Sequence, residues 1–282
     1  MTSLPRARAF DWNNFGVRAA SGIVLASVSA WAVWVFDENG PLWRRAPFPI
    51  LIAVAGTLLS IEWATMASPR LSGRAAVVTA LAVLAVTFLT YYHLYPEAWG
   101  CVVVGALAAA AVARGSAVRA VDAAYGVFYI APACMVIVWL REMPQGRGWL
   151  LMLFAATWAA DIGAFLVGSL LKGPKLWPRF SPNKTWSGFF GGLVAATAAA
   201  VGIAAVLMRL SLAGAALIGL LGGLATMGGD LWESMLKRRF GVKDSGDLIP
   251  GHGGLLDRVD GLMFAVMVFA AARLVVHYGW AH

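Results

Sequence analysis

The chain carries little charge for its length. Only 13% of its 282 residues are Asp, Glu, Lys or Arg, whereas a soluble globular domain carries about 25%. The mean hydropathy is +0.75, and 60% of the residues are hydrophobic. This shortage of charge argues against a soluble globular domain and predicts an integral membrane protein.

Cysteine is also scarce. The sequence has two, Cys101 and Cys134, and both fall inside apolar stretches. Their separation does not fit a metal-binding motif, so we interpret them as packing residues.

Acidic residues are fewer than basic ones, which gives a net charge of +8. In a soluble protein this excess would suggest nucleic acid as a partner. In a membrane protein, basic loops orient the chain and contact anionic lipid headgroups. We therefore predict membrane lipids, and no nucleic acid, as partners.

Long apolar stretches are abundant, and they favour an all-α polytopic fold with about nine transmembrane helices. The predicted stretches are 19–36, 46–67, 75–92, 98–113, 121–140, 148–171, 186–208, 212–232 and 259–280. The first follows three arginines and resembles a signal peptide. Because so many spans follow it, we interpret it as an uncleaved first span.

The distribution of Lys and Arg predicts the orientation. One set of alternate loops, which includes the N-terminus, holds 16 of these residues, and the other set holds five. Since loops rich in Lys and Arg stay in the cytoplasm, we expect the N-terminus there. The predicted location is the inner membrane of a bacterium.

Acidic residues divide the chain into two regions. Seven of the 14 lie between residues 161 and 260, whereas those before residue 147 are scattered. We predict a scaffold of about five helices at 1–147 and a catalytic region at 148–282, with cytoplasmic loops at 172–185 and 233–258. Glu62 is an exception in the scaffold, because it lies within an apolar span, and the sequence leaves its role open.

Asp161 lies near the middle of a predicted span. An Asp at the centre of a membrane costs roughly 2.5–3.5 kcal/mol to insert, so it must face a partner or a wet cavity. Two interpretations remain open, a hydrogen bond between helices and a polar site that opens into the membrane.

Two helix ends carry carboxylates at helical spacing. Asp230, Glu233, Ser234 and Lys237 fall on one face at the end of the eighth span, and Asp257 and Asp260 are three residues apart at the start of the ninth. A simple ion pair would also explain the first group. Oxygen ligands from two helix ends suit a hard divalent cation.

Groups that bind phosphate lie beside these carboxylates. Lys and Arg residues can neutralise phosphate oxygens, and the glycines at 251, 253 and 254 can expose N–H groups to an anion. In the loop 172–188, Lys184 and Thr185 start the next helix after a Ser181–Pro182 turn. They can bind phosphate or serve only to cap the helix.

His252 is either structural or exposed to a ligand. Together these parts are typical of phosphoryl or nucleotidyl transfer.

The segment 234–260 reads S-x-x-K-R-x4-K-D-S-x4-P-x-H-G-G-x-x-D-R-x-D. This pattern resembles the signature of phosphatidate cytidylyltransferases, also called CDP-diacylglycerol synthases. "GDLWES" at 229–234 is similar to the helix end that precedes the signature, and "DIGAFLVG" at 161–168 resembles the family's intramembrane aspartate segment. The likeness in motifs covers roughly 161–261.

One loop departs from the family pattern. The family usually reads S-P-K-K-T-x-E-G, and this chain reads S-P-N-K-T-W-S-G at 181–188. Asn183 replaces a lysine and Ser187 replaces a glutamate. The resemblance therefore assigns no role to these two positions.

The resemblance implies the transfer of the cytidylyl group from CTP to phosphatidate, which gives CDP-diacylglycerol and diphosphate. It also implies Mg²⁺, with a second cation as a further expectation, and a homodimer. The catalytic residues it implies are Asp230, Lys237, Lys243, Asp244, Asp257, Arg258 and Asp260, with Asp230 and Asp257 as metal ligands. The substrate-binding residues it implies are Asp161, Ser181, Lys184, Thr185, Ser234, Arg238, His252, Gly253 and Gly254.

Two other functions fit parts of the sequence. A CTP-dependent polyprenol or other lipid kinase would use similar carboxylates, but it would release CDP rather than diphosphate. A membrane transporter would explain Asp161 and Glu62, but it would leave the spacing of residues 237–260 unexplained.

Overall fold

The computed structural model describes residues 12–67, 69, 72–113, 117–178, 181–246, 248 and 253–279. For residues 12–19, 117–118 and 279 it describes the backbone alone. Helices make up most of the described chain, as predicted.

Ten helices and two short strands follow one another along the described chain. The helices are α1 Trp12–Val35, α2 Leu42–Arg45, α3 Pro47–Ala67, α4 Ser72–Tyr91, α5 Tyr95–Val112, α6 Ala117–Glu142, α7 Gly146–Leu171, α8 Trp186–Leu207, α9 Leu212–Phe240 and α10 Leu256–Gly279. The strands β1 Lys175–Trp177 and β2 Ser181–Thr185 lie between α7 and α8.

Eight of these helices, α3 to α10, are long and apolar enough to cross a membrane. The described side chains of α1 add a shorter apolar stretch at Ala20–Val35. Each of the nine predicted spans overlaps one of these nine helices. The predicted all-α polytopic fold is confirmed.

The prediction placed the end of α9 too early. The apolar run stops at residue 232, but the helix continues to Phe240, so the predicted loop 233–258 is shorter than expected. Lys237, Arg238 and Arg239 occupy the last turn, where positive charge is favourable. Gly241 ends the helix in the left-handed conformation, with φ of 76°.

The loop between α7 and α8 contains a hairpin that the sequence did not reveal. β1 pairs antiparallel with β2, and Lys175 faces Thr185. The predicted turn at Ser181–Pro182 is wrong, because both residues lie in β2. A two-stranded hairpin has only edge strands, which tolerate proline. Thr185 precedes α8 as its N-cap and accepts a hydrogen bond from the N–H of Gly188 at 3.2 Å.

The scaffold helices pack closely against one another through small residues. In α5, Gly105 is buried and lies so close to Ala82 of α4 that an added Cβ would overlap the Ala82 Cβ. In α6, Gly126 leaves room for the indole ring of Trp63 from α3. Small residues of this kind let membrane helices approach closely.

The scaffold also contacts the end of α9. Arg239 pairs with Asp122 of α6 at 2.7 Å. Trp63 donates a hydrogen bond to the carbonyl oxygen of Asp122 at 3.0 Å, and its ring packs edge-on against Phe240. The charged end of α9 is therefore held by residues of α3 and α6.

We expect Gly105→Ala to lower the melting temperature of the purified protein, because an overlap with a rigid Cβ costs about 1–3 kcal/mol. Gly100→Ala is the matched control in the same helix, since a Cβ there meets nothing within 4 Å. The control should be neutral or stabilise the helix by about 0.5–1 kcal/mol. Thermal unfolding followed by tryptophan fluorescence measures both, and equal melting temperatures would contradict the packing.

Candidate active site

Charged residues from β2, α7, α9 and α10 gather at one place. Lys184 of β2 forms an ion pair with Asp230 of α9. Asp161 of α7 is exposed, and the charges that act on it are those of Asp230, Lys184 and Arg258. Asp161 thus lies beside the predicted site. This position agrees with the interpretation of Asp161 as part of a polar site.

Lys237 joins the two helices that carry the signature. Its Nζ lies 3.1 Å from Glu233 Oε2 on α9 and 2.6 Å from Asp257 Oδ1 on α10. The Lys237 side chain is only 14% exposed and that of Asp257 is 9% exposed. A cation between two largely buried carboxylates fixes their separation, because leaving either charge unpaired would be costly.

Asp257 is also held by the backbone. Its Oδ2 accepts hydrogen bonds from the N–H of Ser245 at 3.1 Å and of Gly254 at 3.0 Å. The Gly254 N–H therefore binds Asp257, whereas we had expected it to be free for an anion. Gly253 has φ of +81°, and an added Cβ would lie 3.2 Å from Asp257 Oδ2. This conformation favours glycine.

A second pair of carboxyl groups lies deeper between α9 and α10. Glu233 Oε1 is buried and has no hydrogen-bond partner among the described residues. It faces the carboxyl group of Asp260, whose other acidic neighbour is Asp230. Two carboxyl groups in contact need a shared proton or a cation between them.

The cluster therefore has an excess of negative charge. Its carboxylates are Asp161, Asp230, Glu233, Asp257 and Asp260, and its cations are Lys184, Lys237 and Arg258. This donor set fits a hard divalent cation in type and charge, and the buried Glu233 oxygen in contact with Asp260 adds a further oxygen ligand nearby. Among the residues that the structure describes, no three His, Cys, Asp or Glu side chains converge as a preformed metal site.

The remaining predicted residues lie around the cluster. Arg238, Lys243, Asp244 and Arg258 are exposed, Ser181 and Ser234 are half-buried, and Thr185 is buried at the start of α8. Among the described residues, Arg238, Lys243 and Asp244 form no hydrogen bond or ion pair with the side chains of the cluster. His252 lies outside the described residues. The structure thus brings together the carboxylates and two lysines, with further cations at the rim.

Known proteins resemble this chain over nearly its whole length. The profile of the cytidylyltransferase family matches residues 16–276. The chain belongs to the cytidylyltransferase family. It is an integral membrane enzyme of the nucleotidyltransferase class.

Relatives in several bacteria carry the name phosphatidate cytidylyltransferase. One from Brucella suis biovar 1 is 35% identical over 272 residues, which cover 95% of this chain and 94% of the relative. One from Pseudomonas aeruginosa is 36% identical over 257 residues, covering 85% and 91%. One from Staphylococcus saprophyticus is 40% identical over 148 residues, covering 51% and 56%.

The departure from the family pattern at 183 and 187 has a structural account. Ser187 donates a hydrogen bond to the carbonyl oxygen of Lys172 and lies 3.0 Å from Thr185 Oγ1. It therefore ties the start of α8 to the end of α7. Asn183 is exposed. Asp230 pairs with Lys184, so this lysine has a carboxylate partner without a glutamate at position 187.

Sequence reasoning missed several residues at this site. Glu233 lies on the predicted stripe, and its spacing was the signal that could have included it. Tyr129 of α6 has a buried hydroxyl without a partner among the described residues, and the charges of Asp260 and Glu233 act on it. A tyrosine in an apolar span gives no sequence signal for such a position. Glu62, which the sequence singled out without a role, accepts hydrogen bonds from the N–H groups of Leu255 and Leu256 next to Asp257.

We expect Lys237→Met to destabilise the folded protein strongly, because it leaves the buried Glu233 and Asp257 carboxylates without their cation. Breaking a buried pair in this way costs about 3–5 kcal/mol. The measurement is the melting temperature in detergent. Arg238→Met, at an exposed neighbouring position, is the control and should change it little.

The double variant Lys237→Met/Glu233→Gln separates charge from packing. Neutralising Glu233 removes one unpaired charge, so part of the lost stability should return. Equal melting temperatures for wild type and Lys237→Met would contradict the ion-pair account.

Proposed function

We propose that the chain transfers the cytidylyl group from CTP to phosphatidate and so produces CDP-diacylglycerol and diphosphate for phospholipid biosynthesis. The observation that carries this proposal is the cluster of carboxylates and lysines at the membrane-helix ends, centred on Lys237 between Glu233 and Asp257. The names of the relatives support the same reaction.

The reaction does not need a strong general base. The phosphate of phosphatidate is already an anion at neutral pH, and one of its oxygens attacks the α-phosphorus of CTP. The bond from that phosphorus to the oxygen bridging the β-phosphate breaks, and diphosphate leaves with the electron pair. The site must align the two anions and relieve their mutual repulsion.

The cations of the cluster suit both tasks. Lys184 and Lys237 are held in place by Asp230 and Asp257, so they are pre-oriented donors for phosphate oxygens. Arg238, Lys243 and Arg258 are exposed around them and fit the approach of a triphosphate from water. Asp161 lies on the α7 side of the cluster, where the lipid headgroup would enter while its acyl chains stay in the bilayer.

Asp230 and Asp257, each also paired with a lysine, would hold Mg²⁺, with Glu233 and Asp260 close by. When bound, the ion would supply neutralisation of phosphate charge. What supports this proposal is the excess of carboxylates over cations in the cluster and the contact between the Glu233 and Asp260 carboxyl groups. Gly253 and Gly254 lie next to Asp257, and Asp244, Ser181, Thr185 and Ser234 complete the proposed set of substrate-binding and catalytic residues. His252 stays a predicted substrate-binding residue.

We further propose that the active site faces the cytoplasm of a bacterial inner membrane. The excess of Lys and Arg in the set of loops that includes the segment between α9 and α10 supports this orientation. The homodimer stays a prediction.

We expect purified wild-type protein, given radiolabelled CTP, phosphatidate and Mg²⁺, to place label in a CDP-lipid and to release diphosphate. Asp257→Asn should lose at least about 100-fold in rate, because it removes a ligand and a partner of Lys237. Chromatography of the lipid products measures the transfer.

Asp37→Asn is the matched control, since Asp37 pairs with Arg44 on the connection between α1 and α2. It should retain the wild-type rate. CDP released together with a phosphorylated lipid would overturn the proposal in favour of a lipid kinase. Solute flux without CTP turnover would favour a transporter.

The orientation is testable with single cysteines. In a Cys101→Ser/Cys134→Ala background, Lys243→Cys and Asn39→Cys place exposed thiols on opposite predicted sides. A membrane-impermeant maleimide added to intact spheroplasts should label Asn39→Cys and leave Lys243→Cys unlabelled until the membrane is opened. The reverse pattern would place the active site outside.

A further inference from the structure

Glu62 of α3 is a buried acid that reaches the catalytic region from the scaffold. Its side chain is 3% exposed. Oε1 accepts a hydrogen bond from the N–H of Leu255 at 2.7 Å, and Oε2 accepts one from the N–H of Leu256 at 2.7 Å. The hydroxyl of Ser245 lies 3.3 Å from Oε2. These partners are separated from Glu62 by more than 180 residues of sequence.

These contacts make Glu62 a cap for α10 supplied by a different helix. The first N–H groups of a helix have no partner within it, and the helix N-terminus favours a negative charge. A carboxylate that accepts from two successive N–H groups satisfies both requirements. Glu62 thereby fixes the position at which α10 begins.

Asp257 binds backbone groups next to those that Glu62 binds. It accepts hydrogen bonds from the N–H groups of Ser245 and Gly254, while Glu62 binds the Ser245 hydroxyl and the next two N–H groups. Ser245 thus contacts both carboxylates. An added Cβ at Gly254 would lie 2.9 and 3.0 Å from the two Glu62 oxygens, so the fit between turn and acid is close.

We propose that Glu62 is a positioning residue for the transfer reaction. It holds Ser245, Leu255 and Leu256 in the positions that present Asp257 to Lys237. This role rests on the proposed function, because it assigns to Glu62 the alignment of the residue placed at the centre of that chemistry. Among the described residues, Glu62 itself forms no hydrogen bond or ion pair with Lys237 or Asp230.

The role makes a graded set of variants informative. Glu62→Gln keeps the size of the side chain but sets an NH₂ donor against one of the N–H donors. Glu62→Asp keeps the charge but shortens the reach by one methylene. Ser245→Ala removes only the hydroxyl that binds Glu62 and leaves the backbone N–H that binds Asp257. Glu142→Gln is the matched control, because Glu142 is a side chain of the same type, 3% exposed, at the far end of α6.

The first measurement is amide hydrogen exchange of the 245–256 segment, followed by mass spectrometry without substrates. We expect Glu62→Gln to speed exchange there by at least about 10-fold, because hydrogen bonds to a charged acceptor are lost. Glu142→Gln should leave this segment unchanged. Size-exclusion chromatography verifies that each variant is folded.

The second measurement is kcat and KM for CTP and phosphatidate on the folded fraction. Displacement of an aligned group by about 1 Å can cost about 100-fold in rate. We therefore expect Glu62→Gln to lose kcat on that scale with KM for CTP within about 3-fold of wild type, Glu62→Asp to recover part of the loss, and Ser245→Ala to fall between wild type and Glu62→Gln.

Each outcome discriminates. Faster exchange with unchanged kcat would reduce Glu62 to a structural cap and overturn the proposal, as would unchanged exchange. The proposal would also be overturned if Glu62→Gln lost folded protein and total activity in equal proportion while the folded fraction kept the wild-type kcat. If wild type makes no CDP-lipid, the proposed function fails, while the exchange data still test how Glu62 holds the turn.

Discussion

The need to pair charges at the edge of a membrane determines how the catalytic region is built. Lys237 lies between Glu233 on its own helix and Asp257 on the next, so α9 and α10 meet where that lysine can contact both. The ion pair between Lys184 and Asp230 likewise joins the β hairpin to α9. Since an unpaired buried charge costs several kcal/mol, the pairs of Lys237 favour the observed arrangement of α9 and α10.

The division into scaffold and catalytic region describes the sequence better than the structure. Most acids of the site do come after residue 147. However, Asp122 and Trp63 hold the end of α9, and Glu62 holds the start of α10. The early helices therefore determine where two critical helix ends lie, in addition to supplying apolar surface.

The sequence predicted most of the fold because length and apolarity alone identify membrane helices. It failed where those signals weaken: the last turns of α9 are charged, and the hairpin strands are only three and five residues long. For the site, helical spacing predicted the Asp230–Lys237 face and the Asp257–Asp260 pair. The contact of Glu62 with Leu256 spans 194 residues, and no local pattern encodes such a contact.

The contact between Glu62 and α10 also has a consequence for the order of synthesis. A ribosome adds roughly 5–20 residues per second, so α3 emerges on the order of 10–40 s before the backbone groups that its acid will bind. During that interval, an acid in an apolar helix waits without its partners. The pairing of Lys237 with Asp257 forms only after α10 has been made, so the catalytic cluster assembles well after the helix that carries Glu62.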